Sequence, residues 1–406
     1  MKRAFSWRPD RETALVLAGI CLIAGTYGLV RLAYGLFLPD IQASVSMGSA
    51  VAGYVSSGAS AAYCAGALVG LLAPGRARLL VVGAWGTASF GALGMALAPG
   101  MALLVPSAIL ASAGAGLASP GMVAVVARNI PTARRDRAQA VVNSGTGPGL
   151  VGAGLLALVL TQWRLGFAVS AALTAAAGLC VLLLDRPRPT PVEEPTTAAG
   201  GGTRWLPALG LPATGALLLG GASSAVWTYG RAHLVAAGAS DSGSILAWIG
   251  IGVGGTATVL TARRLSALPA PRAWLLTTLV AALATAGLIA PGPLALTVLA
   301  CAVFGWGFVA ATSALIAWTA RLVPTRAAAG TSVVFITLVV GQAAGSSAGG
   351  AISARADLSA TFLLAALAAV LAAACGGRRR LPPPPAPALD AAPAEPGAEA
   401  RSVGRT

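Results

Sequence analysis

The hexapeptide Ala127-Arg128-Asn129-Ile130-Pro131-Thr132 recurs as Ala320-Arg321-Leu322-Val323-Pro324-Thr325, 193 residues farther along a chain of 406 residues. Each copy ends a long run without charged residues, and the two runs cover residues 79–127 and 273–320. An arginine and then a glycine-rich stretch follow both copies. Self-similarity at corresponding places is typical of a chain built from an internal repeat. The sequence therefore predicts two similar halves.

Composition indicates the solvent that surrounds the folded chain. Of all residues, 10% are charged and 56% are hydrophobic, and the mean hydropathy is +0.80. A soluble protein carries about 25% charged residues, so this chain is expected in a lipid bilayer. The net charge of +15 lies in short segments between apolar runs rather than in a basic patch with aromatic residues. This distribution argues against nucleic acid as a partner.

The apolar runs give the number of membrane-spanning helices. A helix needs about 20 apolar residues to cross a bilayer, and the two longest runs are interrupted at Pro99-Gly100 and Pro291-Gly292-Pro293. Such Pro and Gly clusters are turn signals, so ten runs predict twelve helices. The runs cover residues 13–30, 41–75, 79–127, 138–163, 165–184, 205–230, 242–262, 273–320, 327–354 and 358–377, and the first continues past Arg31 to Leu38.

The order of the runs predicts the domain organisation. Each half has five runs, of which the third is the double one, and a segment rich in Pro, Gly and charged residues separates the halves. We therefore expect an all-α membrane protein with two pseudo-symmetric six-helix bundles. The expected parts are an N-terminal bundle (1–184), a cytoplasmic linker (185–206), a C-terminal bundle (207–377) and a disordered cytoplasmic tail (378–406).

Cations predict the orientation in the membrane. Arg31 and Arg231 lie within apolar runs, and Arg164 and Arg355 are the cations expected at the helix ends away from the N-terminus. All other cations lie on the N-terminal side. Cytoplasmic loops are enriched in Lys and Arg, so both termini are expected in the cytoplasm of a multi-pass protein of the cell inner membrane.

Two short motifs carry a resemblance to a known family. The segment between the second and third helices, Gly70-Leu71-Leu72-Ala73-Pro74-Gly75-Arg76-Ala77-Arg78, is similar to the Gly-x-Leu-Ala-Asp-Arg-x-Gly-Arg loop of the major facilitator superfamily, with Pro74 in place of the aspartate. Helix five holds Gly147-Pro148-Gly149-Leu150-Val151-Gly152, which resembles that family's antiporter motif Gly-Pro-x-x-Gly-Gly, with Val151 as the departure. The resemblance implies a secondary transporter that works by alternating access, and the helix-five motif suggests export or exchange. It also puts Gly70, Arg78, Gly147 and Pro148 in gating roles.

Small residues repeat at four-residue spacing in several helices, which lets helices approach closely. Examples are Gly66 and Gly70 in helix two and Gly341 and Gly345 in helix eleven. In the family that this chain resembles, helices two, five, eight and eleven form the contact between the halves. Gly341 and Gly345 are therefore expected in gating roles too.

Arg31 in helix one and Arg231 in helix seven occupy equivalent places in the two halves. A charge at membrane depth is costly and suggests function, and guanidinium groups match carboxylate or phosphate. We expect both side chains in one central cavity that binds a small organic or inorganic anion; the alternative is snorkelling of each arginine to the lipid headgroups. Polar and aromatic residues near them are further candidates for substrate contact, with ordinary packing or an interfacial aromatic belt as the alternative. These are Tyr27, Tyr34, Asn143, Trp227, Tyr229 and Gln342.

No carboxylate is expected at the middle of the membrane, so candidates for proton coupling are few. His233 and Asp40 are the two, with an interfacial histidine and a solvated helix-end carboxylate as the alternatives. Competing functions are proton-coupled efflux of hydrophobic, drug-like compounds and a non-transporting membrane receptor or scaffold. The sequence offers no catalytic group, metal cluster or cofactor motif. Expected partners are a small-molecule substrate and the lipid bilayer, with the protein as a monomer.

Overall fold

The computed structural model describes residues 10–73, 75–186 and 203–377. These residues fold into twelve helical rods, as predicted. Residues 1–9, Pro74, most of the predicted linker and the predicted tail lie outside the described residues. The rods are α1 (Arg11–Val45), α2 (Ser49–Leu72), α3 (Ala77–Leu97), α4 (Met101–Asn129), α5 (Thr132–Val159), α6 (Trp163–Leu184), α7 (Thr203–Ala236), α8 (Asp241–Ser266), α9 (Ala270–Gly287), α10 (Leu294–Leu322), α11 (Pro324–Ser353) and α12 (Leu358–Ala374).

The helix ends follow local sequence signals. The interruption at Pro99-Gly100 separates α3 from α4, and Pro291-Gly292-Pro293 separates α9 from α10. Side chains accept hydrogen bonds from the first free N–H groups of three rods, which is the usual role of an N-cap. These caps are Asp10 to Thr13 N (3.0 Å), Ser240 to Gly243 N (3.1 Å) and Asp357 to Ala360 N (3.1 Å). Both copies of the sequence repeat end the fourth rod of their half, where the duplication predicts them.

The outer surface of the bundle is apolar. Leu260, Val159 and Leu72 are 82%, 78% and 74% exposed, and an apolar surface of this kind indicates contact with lipid. Within the described chain, nine rods have the length and apolarity to cross a membrane, and α12 is a shorter apolar helix. The chain is a multi-pass membrane protein.

Rods α1–α6 pack with one another as the N half, and α7–α12 pack as the C half. We call the end of the bundle where α6 stops and α7 starts the linker face, and the opposite end the distal face. The halves meet where α2 packs on α11, α5 on α8, and α1 on α7. The predicted linker (185–206) ends in a short 3-10 helix, because residues from Thr203 onward already begin α7.

The repeated glycines do not form the contact between halves that the resemblance implies. A Cβ on Gly70 would lie 2.2 Å from Pro120 of α4, and one on Gly341 would lie 2.1 Å from the Leu217 carbonyl of α7. Residues four apart share one helix face, and this face is turned toward a neighbour in the same half. The repeated glycines therefore tighten each half internally.

Other glycines bring the halves together. A Cβ on Gly35 of α1 would lie 1.9 Å from the Trp227 carbonyl oxygen of α7, and one on Gly53 of α2 would lie 2.3 Å from the Ser346 carbonyl oxygen of α11. Backbone atoms cannot yield as a flexible side chain can, so these positions have no room for a side chain.

Helix α1 is longer than its apolar run predicts. The run ends at Leu38, but the helix continues through Pro39 to Val45. Asp40 therefore lies on the helix rather than in a loop, and Arg31 lies fourteen residues from the helix end, or about 21 Å at 1.5 Å per residue. The apolar run alone would put Arg31 seven residues, or about 10 Å, from that end.

Candidate functional site

A central cavity lies between the two halves. It encloses about 570 Å³ of empty space, including its opening, and is lined by α1, α2, α3 and α4 of the N half and α7 and α11 of the C half. The cavity therefore has the position of a substrate site at the interface of a repeat.

Arg31 of α1 lines this cavity, as predicted. Its Nε donates to Ser112 Oγ of α4 (3.0 Å) and its Nη2 donates to Gln342 Oε1 of α11 (3.2 Å), so it bridges the halves. Its guanidinium carbon lies 4.5 Å from the centre of the Tyr63 ring, in cation–π contact. Among the described residues Arg31 has no carboxylate partner, and among those lining the cavity it carries the only formal charge.

A π-helical stretch, Ala24–Leu32, carries Arg31. Such stretches are rare and occur often at functional sites. In this stretch α1 packs tightly against α5. A Cβ on Gly28 would lie 2.3 Å from the Gly149 carbonyl carbon of α5. Arg31, at the end of the same stretch, lines the cavity.

Tyr27 supports the site without lining it, although the sequence predicts direct substrate contact for this residue. Its hydroxyl lies 3.0 Å from the Tyr63 hydroxyl and 3.2 Å from Ser119 Oγ. The Tyr63 ring packs on Arg31, so Tyr27 contacts the cavity residue Arg31 only through Tyr63.

Hydroxyl groups of both halves close the cavity toward the distal face. Ser56 of α2, Thr228 of α7 and Ser346 of α11 form a ring, with distances of 2.9 Å (Ser56–Thr228), 3.1 Å (Ser56–Ser346) and 3.1 Å (Thr228–Ser346). Ser57 also lies 2.6 Å from Ser347 Oγ, and Tyr229 donates to the Ser346 carbonyl (2.6 Å). These contacts seal the distal side.

The linker side has no comparable seal in the described part of the chain. The hydrogen bonds found there between the halves lie at the level of Arg31 or farther toward the distal face. Hydrogen bonds between the halves therefore close the cavity on the distal side, and none of those found in the described residues closes it toward the linker face.

Arg231 does not share this cavity, which differs from the sequence prediction. It is 2% exposed and lies nearer the distal face, where Nη1 donates to the Leu36 carbonyl (2.7 Å) and to Asp40 Oδ2 (2.5 Å) of α1. In its own half, Nη2 pairs with Asp241 and Nε donates to Ser244 Oγ (3.0 Å). Carboxylates of two separate helices, Asp40 and Asp241, hold the guanidinium away from the cavity and provide the pairing that a buried charge needs.

The remaining candidates for substrate contact divide into two groups. Tyr34, Trp227 and Gln342 line the cavity. Tyr229 is buried in the distal seal instead. Asn143 is exposed near the middle of α5, where its side chain accepts a hydrogen bond from Gln139 (3.1 Å), and it does not line the cavity.

His233 and Asp40, the candidates for proton coupling, lie apart from each other. His233 is buried inside the C half, where Nε2 lies 2.8 Å from the Leu288 carbonyl oxygen and the ring stacks on Phe362. Asp40 pairs with Arg231 across the halves. Within the described ranges, no group of three or more His, Cys, Asp or Glu could hold a metal ion.

The predicted gating residues lie at several contacts. Gly147 of α5 faces Thr256 of α8, so it lies between the halves. Pro148 beside it is exposed. Gly70, Gly341 and Gly345 pack inside their own halves; a Cβ on Gly345 would lie 2.4 Å from the Gly221 carbonyl oxygen of α7.

Arg78 contacts a carboxylate that the sequence pattern does not single out. Its Nε lies 3.2 Å from Asp185 Oδ2, at the end of α6. Asp185 is fully buried and also binds Arg128 and Asn129 of α4, with Nε and Nδ2 at 3.0 and 2.8 Å from Oδ1. In this chain Pro74 replaces the loop aspartate of the family pattern, and Asp185 provides a buried negative charge near the linker face.

Comparison with known proteins places this geometry in a family. The sequence model of the Major Facilitator Superfamily matches residues 19–337. No curated protein matches the chain.

Solved transporter structures share the fold. A bacterial homologue of the human lysosomal transporter Spinster, inward-facing and unoccupied, has a TM-score of 0.72 at 16% identity and covers 93% of this chain and 100% of its own. A point mutant of the nucleoside transporter NupG has a TM-score of 0.71 at 16% identity, covering 91% and 99%. A point mutant of the peptide transporter POT has a TM-score of 0.71 at 16% identity, covering 92% and 95%. Since the family model matches well over half of the chain, this protein belongs to the major facilitator superfamily and is a secondary transporter.

Proposed function

We propose that this protein carries a small anion across the membrane by alternating access and that Arg31 binds the anion in the central cavity. One observation carries the proposal: Arg31 is a cation in a largely apolar cavity without a carboxylate partner among the described residues. A charge inside a membrane protein is normally paired, so a mobile anion is the partner that would complete this site.

The hydrogen bonding of Arg31 agrees with this assignment. A guanidinium has five N–H donors, and in the described chain Arg31 uses two of them, toward Ser112 and Gln342. The remaining donors are available to a carboxylate or phosphate group, which a guanidinium binds in a bidentate manner. Arg231 has no part in this proposal, since its guanidinium is already held by Asp40 and Asp241.

The orientation belongs to the same proposal. In the described chain the linker face holds many arginines, whereas Arg164 and Arg355 lie near the distal face. Because Lys and Arg favour the cytoplasmic side, we place the linker face and both termini in the cytoplasm of a cell inner membrane. The cavity as described would then be accessible from the cytoplasm.

Ligand-dependent thermal unfolding of the purified protein tests the proposal. A ligand at 100 times its Kd stabilises the folded state by about 2.7 kcal/mol, so a panel of anions and lipophilic cations identifies the class that binds. We expect anions to stabilise the wild type and Arg355→Gln, which removes an exposed distal arginine, but not Arg31→Gln.

The opposite outcome is equally informative. Lipophilic cations that stabilise the wild type and Arg31→Gln equally, with no effect of any anion, would overturn the anion assignment. They would favour efflux of hydrophobic compounds instead.

A further inference from the structure

The central cavity has two layers with different chemistry. The first layer contains Arg31 and the groups it binds, Ser112 and Gln342. The second lies about one helical turn nearer the distal face, or about 6 Å for four residues. It contains the residues four positions along the same rods, Ala108 of α4 and Ser346 of α11.

Two independent observations place Trp227 in the second layer. Its carbonyl oxygen meets Gly35, which follows Arg31 by one turn of α1. On its own helix it follows Ser223 by four residues, and Ser223 Oγ accepts a hydrogen bond from Gln342, the partner of Arg31 (3.5 Å). The indole ring is itself held in edge contacts with Phe304 and Phe308.

Apolar side chains dominate the second layer. Val55, Met95, Ala108 and Trp227 line it. Its hydroxyl groups are already occupied: Ser56, Thr228 and Ser346 bond to one another. Three hydroxyl protons are enough for the three bonds of this ring, so none remains to solvate a negative charge.

Charge and apolar surface are therefore separated along the cavity. An inorganic anion would be held at Arg31 but would leave the apolar layer empty or filled with water. A dicarboxylate or tricarboxylate would need a second cation, and the described residues that line the cavity offer none besides Arg31. A ligand with one anionic end and one apolar end matches both layers.

We propose that the substrate is an amphipathic organic monoanion, with its charged group at Arg31 and its apolar body in the distal layer against Trp227 and Met95. The inference rests on the proposed function, because it takes Arg31 as the anion-binding residue. It adds that the apolar body determines selectivity. In the distally closed state the body lies at the closed end of the cavity and the anionic group faces the opening.

A series of straight-chain carboxylates tests this inference by thermal unfolding. The ligands are acetate, butyrate and hexanoate, with hexan-1-ol as the uncharged control and chloride, phosphate and citrate as alternative anions. We expect the apparent affinity to rise roughly two- to fourfold for each added methylene that is buried. Hexanoate should stabilise the wild type but not Arg31→Gln, and hexan-1-ol should have little effect on either protein.

A variant of the distal layer distinguishes the contribution of the apolar body to the affinity from that of the charged group. Ala108→Leu adds bulk to the second layer and leaves Arg31 and its partners unchanged. We expect it to lower the affinity for hexanoate about tenfold or more and to leave the affinity for acetate unchanged. If this variant does not fold, Val55→Phe fills the same layer from α2.

The outcomes distinguish the two proposals. If chloride, phosphate or citrate binds more tightly than every monocarboxylate and the binding requires Arg31, the anion function stands and the amphipathic substrate class is wrong. The class is also wrong if hexanoate and acetate bind equally well, or if Ala108→Leu and Val55→Phe weaken both alike. If no anion binding depends on Arg31, both proposals fail.

Discussion

Asp40 of α1 and Arg231 of α7 form an ion pair between the two halves, with 2.5 Å between Asp40 Oδ2 and Arg231 Nη1. The pair lies on the distal side of the cavity, beyond the ring of hydroxyl groups. Arg231 has a second carboxylate, Asp241, in its own half. When the halves separate distally, Arg231 therefore loses Asp40 and keeps Asp241.

We expect Asp40→Asn to favour the distally open state. A hydrogen bond to a charged group contributes about 1.5–3 kcal/mol, so the ratio of distally closed to distally open protein should fall roughly 10- to 150-fold. Double electron–electron resonance between spin labels at the exposed positions Ala43 and Ala237, in a background without native cysteines, would show a longer mean distance.

Asp241→Asn is the matched control for this experiment. It removes a carboxylate from the same guanidinium, but from within the C half, and the pair between the halves stays intact. The label distance should stay close to that of the wild type. Equal opening in Asp40→Asn and Asp241→Asn would contradict a specific role for the Asp40–Arg231 pair.

Among the charged residues at the linker face, substitution of Asp185 should cause the largest loss of folding stability. Its side chain is fully buried, and that of Arg128 is 25% exposed. Removing one partner of a buried pair costs about 3–5 kcal/mol, so Asp185→Asn should lower the free energy of unfolding by about 2–4 kcal/mol given the partial exposure of Arg128. The thermal unfolding temperature in detergent measures the loss.

Arg78 provides the comparison, because it binds the same carboxylate from an exposed position. Its side chain is 61% exposed, and exposed ion pairs contribute at most about 1 kcal/mol. Arg78→Ala should therefore change the unfolding temperature much less than Arg128→Ala. Similar losses in both variants would mean that exposure does not determine the strength of these contacts.

Features that depend on the local pattern could be predicted from the sequence. The twelve helices follow from runs of apolar residues and the Pro-Gly interruptions, and the two halves follow from the repeat. Arg31 could be predicted in the cavity because a lone cation within an apolar run is conspicuous. Tyr34, Trp227 and Gln342 could be selected because they are polar or aromatic residues within apolar runs.

Features that depend on packing between distant helices could not be predicted from the sequence. Asp40 and Asp241 lie near the ends of different helices, and only the packing of α1, α7 and α8 brings both to Arg231. Ser112 lies among small residues that give no sign of its contact with Arg31. The four-residue glycine spacing shows that a helix packs closely but not which neighbour it packs against, so the packing of Gly70 and Gly341 inside their own halves could not be predicted.

Tyr63 should stabilise the position of Arg31 through its ring rather than its hydroxyl. A cation–π contact contributes about 0.5–1 kcal/mol at partly exposed sites, so Tyr63→Leu should weaken anion binding roughly two- to fivefold. Tyr63→Phe keeps the ring 4.5 Å from the guanidinium carbon and loses the hydroxyl contact with Tyr27. It should therefore bind anions almost as well as the wild type, as measured by anion-dependent thermal unfolding, and equal weakening in Phe and Leu variants would assign the effect to the hydroxyl.

Gly35 should be essential for distal closure, because α1 and α7 touch at its Cα. In Gly35→Ala the new Cβ would lie 1.9 Å from the Trp227 carbonyl oxygen, so closure would require a shift of the backbone. Overpacking of this kind costs about 1–3 kcal/mol, and we expect the spin labels at Ala43 and Ala237 to report the longer, distally open distance.

Gly152→Ala of α5 separates this steric effect from helix propensity. It adds the same methyl group and the same propensity gain, about 1 kcal/mol, but its Cβ would lie 3.5 Å from Leu29 Cδ2, an ordinary van der Waals distance. The label distance should therefore match the wild type. If Gly35→Ala also kept the short distance, α1 could shift along α7 at little cost, and the seal would depend on the hydroxyl ring and the Asp40–Arg231 pair rather than on backbone contact.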